Sequence, residues 1–125
     1  MKTNYTTEVK KALKDGKPVL ALESTIISSG MPYPQNIDFH KKAEQVCYDC
    51  GVVPATIAII KGVVCVGLSS DQAEYIATNK SVEKISKKEI GVCVQKQLSG
   101  ATTVSSASHI AHLVGIKVFS TGGIG

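Results

Sequence analysis

The sequence has no tryptophan, and aromatic residues make up only 5% of its 125 positions. It also lacks an arginine-rich cluster and any alternation of basic with aromatic residues, so nothing in it favours nucleic acid as a partner. Lys plus Arg number 14 against 10 Asp plus Glu, a formal charge of +4. A lysine-bearing solvated surface explains that excess, which also suits a small anionic ligand such as a phosphate. Long apolar runs are missing: stretches such as Thr56-Ile57-Ala58-Ile59-Ile60 fall far short of the roughly 20 residues that span a bilayer. No apolar signal segment follows Met1-Lys2-Thr3-Asn4-Tyr5, so a soluble cytoplasmic protein with no membrane partner is expected. What is present is a globular composition, 43% hydrophobic and 19% charged, enough for one core.

Cysteine is sparse as well. Cys47-Tyr48-Asp49-Cys50 has the spacing of a redox or metal half-site, but Cys65 and Cys93 stand alone and supply no second close pair. His109 and His112 share a helical spacing, yet they would have to complete a zinc site over a long range. Cys47 instead continues an apolar spacing through Ala43 and Val46, which predicts ordinary thiols on a packed helix face.

Along the chain, strand and helix signals alternate. Thr6 to Asp15 predicts a helix ended by Gly16, and Pro18 to Ser24 a strand that delivers Glu23 and Ser24 at its carboxyl end. From Thr25 to Asn36, Gly30, Pro32 and Pro34 argue for a shaped loop without helix. Asn36 or Asp38 is expected to cap a helix to Cys50, with Gly51 as its stop. Val53 to Ile60 and Val63 to Val66, joined by Lys61-Gly62, read as a hairpin. Ser70 or Asp71 is expected to cap a helix from Gln72 to Asn79, and Val82 to Ser86 reads as a short strand. Lys87 to Gln97 carries both helical and strand signals. Thr102 to Leu113 predicts a helix, and Ile116 to Phe119 a strand that runs into Ser120-Thr121-Gly122-Gly123-Ile124-Gly125.

This alternation indicates an α/β fold, an α/β/α layered core on a mostly parallel or mixed sheet. Ligands of such sheets gather outside the carboxyl ends of strands, where the polar segments Glu23–Asn36, Ser99–Thr103 and Ser120–Gly125 are expected to lie. A chain that stops inside a glycine-rich loop directly after a strand reads as the first part of a larger α/β domain.

Glu23 is the only acid in an otherwise apolar strand. A carboxylate in that setting is costly to bury unless it is paired, hydrogen-bonded or held toward its neutral form, and such a group suits proton transfer. Lys84, between Val82 and Ser86, would meet a phosphate as a point charge, in competition with the other lysines of its neighbourhood. Gly100-Ala101-Thr102-Thr103-Val104, ahead of a helix, would offer backbone N–H groups and hydroxyls to an anion. It is not a Walker A loop, because no Gly-Lys-Ser/Thr follows. The segment from Thr121 to Gly125 is a second such loop, without the spacing of a dinucleotide fingerprint. His40, His109 and His112 assemble with no nucleophile in a recognised order and read as surface or satisfied interior groups.

Taken together, several segments resemble the pseudouridine-5′-phosphate glycosidase family, in the family's order and at similar spacing. They are Ala21-Leu-Glu-Ser-Thr-Ile-Ile-Ser-Ser-Gly-Met-Pro-Tyr-Pro-Gln-Asn36, Gly51-Val-Val-Pro-Ala-Thr-Ile-Ala58 and Val66-Gly-Leu-Ser69. Lys84-Ile-Ser86, Ala101-Thr-Thr-Val104 and the segment from Gly115 to Gly125 complete the set. The resemblance implies an enzyme that reversibly breaks the C–C glycosidic bond of pseudouridine 5′-phosphate to give uracil and ribose 5-phosphate. It implies a trimer with an α/β/α core and bound manganese, in which the opened sugar forms a Schiff base with a lysine while a glutamate moves protons. Glu23 matches that glutamate. Lys84 matches a lysine that meets the phosphate, Thr103 and Val104 the next substrate-contacting position (Val104 through its backbone N–H), and Thr121 lies in the loop expected near the phosphate. A carbon leaving group has no glycosidic oxygen to protonate, so an iminium electron sink is the chemistry such a bond requires.

The sequence departs from the family pattern at Ser29, where the family usually has histidine, and at Lys87-Lys88-Glu89, where an arginine-rich segment ending in aspartate is usual. The metal-binding aspartate and nucleophilic lysine fall beyond the glycine loop. Lys84 is not that nucleophile, and the isolated 125-residue chain is expected to be inactive. The alternative is a non-catalytic phosphosugar-binding or assembly module.

Overall fold

The central strand grows from the least polar stretch of the chain. Val53–Ile60 forms β3, with Pro54 through Ile59 buried, as a strand covered on both faces requires. The structure, a computed structural model, describes residues 1–122. Around β3 stand β1 (Thr3–Tyr5), β2 (Val19–Leu22), β4 (Val63–Val66), β5 (Glu83–Ile85), β6 (Gly100–Thr102) and β7 (Val118–Ser120). They form one seven-stranded sheet in the order β1-β4-β3-β2-β7, with β6 also on β3 and β5 on β6. The sheet is mixed: β4 and β6 run antiparallel to β3, and β1–β4, β2–β3, β2–β7 and β5–β6 are parallel pairs.

Helices cover both faces. Period-two alternation sends Ala55, Ile57 and Ile59 of β3 to one side, where they pack with residues of α1 (Thr7–Asp15), α4 (Ile90–Gln95) and α5 (Val104–Leu113). Ala58 and Cys65 pack on the other side with Ile37 of α2 (Gln35–Asp49) and with Ala73, Ile76 and Ala77 of α3 (Ser70–Thr78). The expected α/β/α layering is thus present.

Strand register positions the polar segments. Leu22 lies opposite Thr56 in the parallel β2–β3 pair, and Ala101 opposite Ala58 in the antiparallel β6–β3 pair. The strands β2 and β6 therefore share one edge of β3 and point at each other, their carboxyl ends meeting at the level of Ile57. The polar segments after β2 and β6 converge from opposite directions, where the sequence predicted a single rim.

Several local expectations are corrected. The stretch 25–36 is not pure loop: Ile26–Gly30 forms a π-helical turn, and Pro32 and Pro34 lie beyond it, where they remove no donor from it. Asn36 does not cap α2. It is buried, its Nδ2 donates to the Ile27 carbonyl (2.7 Å) and the Ala77 carbonyl (3.0 Å), and it ties the π-turn to α3. Asp38 lies inside the first turn of α2, whose cap position is Pro34. The cap of α3 is Ser69, which exchanges a capping box with Gln72, one position before the residues expected. Residues 87–95 are helical, a short 3-10 turn followed by α4. Gly100–Thr102, read as loop and helix start, is a strand, and α5 begins at Val104. On α2, Cys47 is buried but Val46 is 61% exposed, so the packed face passes through Ile37, His40 and Cys47 and leaves Val46 outside.

Candidate functional site

Glu23 follows β2 directly and is half-buried. Thr121, which follows the neighbouring β7, donates its hydroxyl to Glu23 Oε1 at 2.7 Å. Of the ways a carboxylate tolerates such a setting, the fold supplies a hydrogen bond. Both residues line a cleft of about 270 Å³ whose other walls are Leu22, Ile26, Ile27, Phe39, His40, Ala43, Thr56, Ser120 and Gly122. A mostly apolar cavity with a few convergent polar groups is the usual form of a small-molecule site.

Behind Glu23, the meeting point of β2 and β6 is sealed by hydroxyls. Ser24 Oγ donates to the Ile57 carbonyl at 2.7 Å and accepts from the Thr102 N–H at 2.8 Å. Thr102 Oγ1 donates to the same carbonyl at 2.6 Å, and Thr25 Oγ1 donates to the Thr102 carbonyl at 2.7 Å. Ser24, Thr56 and Thr102 are all buried. The backbone around β6 is consequently committed to structure. The Thr102 N–H goes to Ser24, and the Thr103 N–H goes to Ser106 Oγ (2.9 Å) and the Ile85 carbonyl (3.3 Å). Of the anion seat expected from Gly100 to Val104, the Thr102 and Thr103 N–H groups are thus taken up by pairing and capping.

The other expected residues lie apart from the Glu23 cleft. Lys84 is exposed in β5 opposite Ala101, itself opposite Ala58. Paired residues share a face, so Lys84 stands on the α2–α3 side of the sheet, beyond β6 and outside the cleft lining. Thr103 is the cap residue of α5, and its hydroxyl donates to the Ile85 carbonyl at 3.0 Å. Val104 opens α5 and is half-buried. The fold therefore joins Glu23 to Thr121. Ser24, Thr25 and Thr102 link the Thr103–Val104 region to Glu23. Gly123, Ile124 and Gly125 of the expected glycine loop lie outside the described residues.

A further set of polar groups was missed by sequence reasoning. His40 and Glu44, one helical turn apart on α2, are turned toward the sheet, with His40 Nε2 3.5 Å from Glu44 Oε2. Thr56 Oγ1 of β3 donates to the same carboxylate oxygen at 3.4 Å. Burial raises the Glu44 carboxyl from 4.5 to about 7, with Thr56 opposing the shift and Glu8 adding to it. Burial, helped by Lys41, lowers the His40 imidazole below its ordinary value. The available signal was the i, i+4 spacing of a histidine and a glutamate among the apolar positions of one helix.

The thiols are free, and burial pushes Cys47, Cys65 and Cys93 above their ordinary value, which disfavours the reactive thiolate. Among the described residues, no group of three or more His, Cys, Asp or Glu is placed to hold a metal ion. The donor set a manganese ion would need is therefore not supplied by them. Among the described residues, no helix is long and apolar enough to cross a membrane.

Comparison with known proteins agrees with this architecture. The sequence model of the family described as "Indigoidine synthase A like protein" matches residues 8–125. The chain is 53% identical over 121 residues to the pseudouridine-5′-phosphate glycosidase of Alkaliphilus metalliredigens, covering 97% of this chain and 39% of that protein. It is 50% identical over 119 residues to the Arabidopsis thaliana enzyme of the same name, covering 94% and 36%. Among solved structures, the prealnumycin C-glycosynthase in complex with ribulose 5-phosphate superposes with a TM-score of 0.89 at 36% identity, covering 100% of this chain and 40% of that one. An indigoidine synthase A-like protein from Thermotoga maritima gives a TM-score of 0.89 at 29% identity, with the same coverage. The chain spans about two-fifths of the length of the relatives it matches. With its fold and its sequence in agreement, the chain belongs to the indigoidine synthase A-like family, that of the pseudouridine-5′-phosphate glycosidases.

Proposed function

We propose that this protein acts as a pseudouridine-5′-phosphate glycosidase, with the 125 residues forming the amino-terminal portion of its single domain. In this reading Glu23 moves protons during C–C bond cleavage. The observation that carries the reading is the Glu23–Thr121 hydrogen bond of 2.7 Å, in the lining of a mostly apolar cleft beside the carboxyl ends of β2 and β7. A carboxylate held at a strand end in a partly dry cleft is oriented for proton transfer without first shedding a full hydration shell. Lys84, Thr103 and Val104 are assigned to the phosphosugar. Support comes from the ribulose 5-phosphate bound by the prealnumycin C-glycosynthase, a structural relative at 36% identity. A phosphate contributes binding energy remote from the reacting carbon. Manganese and the iminium-forming lysine belong to the proposal through the family resemblance alone, and no step is assigned to either through the residues described. A cytoplasmic homo-oligomer, trimeric in the family pattern, completes the reading.

The decisive experiment is uracil release from pseudouridine 5′-phosphate in the presence of manganese. Turnover is expected of a polypeptide of the relatives' full length, and Glu23→Gln should lower it by about 100-fold or more. Turnover unaffected by Glu23→Gln would remove Glu23 from the mechanism. Saturable ribose 5-phosphate binding without uracil release at any chain length would instead favour a non-catalytic phosphosugar-binding module.

A further inference from the structure

The cleft that holds Glu23 has a second chemically active wall. His40 and Thr56 line it, and both approach Glu44 Oε2, at 3.5 and 3.4 Å. Glu44 and His40 also line a separate hollow of about 300 Å³ between α2 and the start of α3, with Lys41, Asp71 and Glu74 at its rim. His40, only 6% exposed, therefore stands between the cleft and this outer hollow. Its neighbours are unusual for a histidine–carboxylate pair. Glu8 of α1, bonded to the Tyr48 hydroxyl, faces Glu44 with a like charge, and Cys47 adds a neutral thiol. Such surroundings favour the uncharged acid over an ion pair, because a buried charge here gains little compensation.

The geometry points to a proton relay through Glu44 and His40, with Thr56 as the group that positions the carboxyl, connecting the Glu23 cleft to solvent at the α2–α3 hollow. The transfer is balanced. The O–H bond of the Glu44 carboxyl breaks as an N–H bond forms at His40 Nε2, leaving carboxylate beside imidazolium. His40 then releases one proton into the cleft, and a water in the outer hollow gives a proton to the Glu44 carboxylate and becomes hydroxide, which bulk solvent neutralises. No oxidant or co-reactant other than water enters. The inference deepens the proposed function, since it rests on Glu23 moving protons there. A group that donates a proton to a carbon leaving group must be reloaded each turnover, and a path through the protein wall reloads it while substrate fills the cleft. Glu44 and His40 are relay residues and Thr56 a positioning residue; none is assigned contact with substrate.

The test reads protonation directly. In the 125-residue chain, the Glu44 side-chain ¹³C signal and the His40 ring ¹⁵N signals are followed from pH 4 to 9 by NMR, with the Glu23 carboxyl as a reporter in the cleft. Glu44 is expected to lose its proton near neutrality, with the His40 and Glu23 signals shifting at the same midpoint. In Glu44→Gln that shared step vanishes from both. His40→Gln, which leaves the acid in place, should move the Glu44 midpoint, so the outcome does not depend on one variant folding. An ordinary acidic midpoint for Glu44, or Glu23 signals blind to the Glu44 step, overturns the relay. In a polypeptide of the relatives' length, Glu44→Gln should lower kcat at least ~10-fold and reshape its pH profile while ribose 5-phosphate binding is unchanged. Failure of Glu23→Gln to affect turnover would remove Glu23 from the proposed mechanism and leave the titration result standing, which separates the two failures.

Discussion

Ser24 and Thr102, 78 residues apart in the chain, close the gap between two strands that end facing each other. The Ser24 N–H donates to the Thr102 carbonyl (3.2 Å) while the Thr102 N–H donates to Ser24 Oγ (2.8 Å). Both hydroxyls then converge on the Ile57 carbonyl of β3. Backbone groups at converging strand ends have no ladder partner, and burial removes water as a substitute, so side-chain oxygens take over the pairing.

Removing the Ser24 hydroxyl leaves the buried Thr102 N–H without its partner, and removing the Thr102 hydroxyl leaves the Ile57 carbonyl to Ser24 alone. Ser24→Ala or Thr102→Val is expected to destabilise the fold by about 1–3 kcal/mol each. The double variant should cost clearly more than both changes added, because only then does the buried Ile57 carbonyl lose both of its side-chain donors. Denaturant midpoints at constant m-value measure this. Additive losses would show that the hydroxyls act independently.

Thr121 is expected to act on function by holding Glu23. Thr121→Val removes the 2.7 Å hydrogen bond and frees the carboxyl to turn. In a catalytically active polypeptide, kcat should fall by up to about 100-fold with little change in KM, and Thr121→Ser should restore most of it. A loss confined to KM would place Thr121 in substrate binding instead.

Gly67 sits at φ +87°, and a Cβ there would approach Thr6 Oγ1 to 2.5 Å and Val9 Cγ2 to 3.0 Å. This glycine lets the chain leave β4 while the start of α1 packs against it. Gly67→Ala combines a disfavoured backbone region with a clash, and should cost on the order of 2–4 kcal/mol. Gly51→Ala is also at positive φ, +75°, but meets nothing within 4 Å, so it should cost only the backbone part, about 1 kcal/mol. Thermal melts of the pair separate strain from clash.

Glu44 makes stability depend on pH with a definite sign. Its carboxyl is raised in the fold from 4.5 to about 7, so its contribution is fully present below pH 4.5 and is lost as pH rises through about 7. Glu44→Gln removes that loss. The variant should be more stable than the parent at pH 8, by up to ~3 kcal/mol, and lose this advantage by pH 5. His40 is lowered below 6.5 and works in the other direction, its contribution declining as pH falls through and below that value. Chemical denaturation at both pH values checks the crossover; equal differences at both would show that Glu44 is ordinary in the fold.

Much of the fold was legible because local chemistry and tertiary role agree. Val53–Ile60 is a β-branched run and becomes β3, and Lys61-Gly62 at positive φ turns it into β4. Gly16 ends α1 as read from its type, and Thr6, read as the first residue of the helix, is its N-cap. The strands β1 and β6 were missed because Thr3-Asn4-Tyr5 and Gly100-Ala101-Thr102 carry no strand pattern of their own. Each is a strand because of its partner: Thr3 pairs with Val64, and Gly100 sits against Ile85, whose methyl groups would lie 2.9 Å from an added Cβ. Glu23 and Thr121 were legible as candidates from residue type and position. Their contact was expected only as a shared pocket. His40 and Glu44 were invisible as a pair, since a helix spacing says which residues share a face and not whether that face meets a dry cleft.

The sequence by itself determined most of the elements and the family: hydrophobic periodicity, glycine and proline punctuation and the motif order are local properties that survive without coordinates. Tertiary structure alone decided that β2 and β6 meet head-on at Ile57 and that Thr121 reaches Glu23 across 98 residues. It also decided that a histidine and a glutamate of α2 share the wall of the same cleft. Those relationships depend on strand register and on the exclusion of water, and both arise only when distant segments pack together.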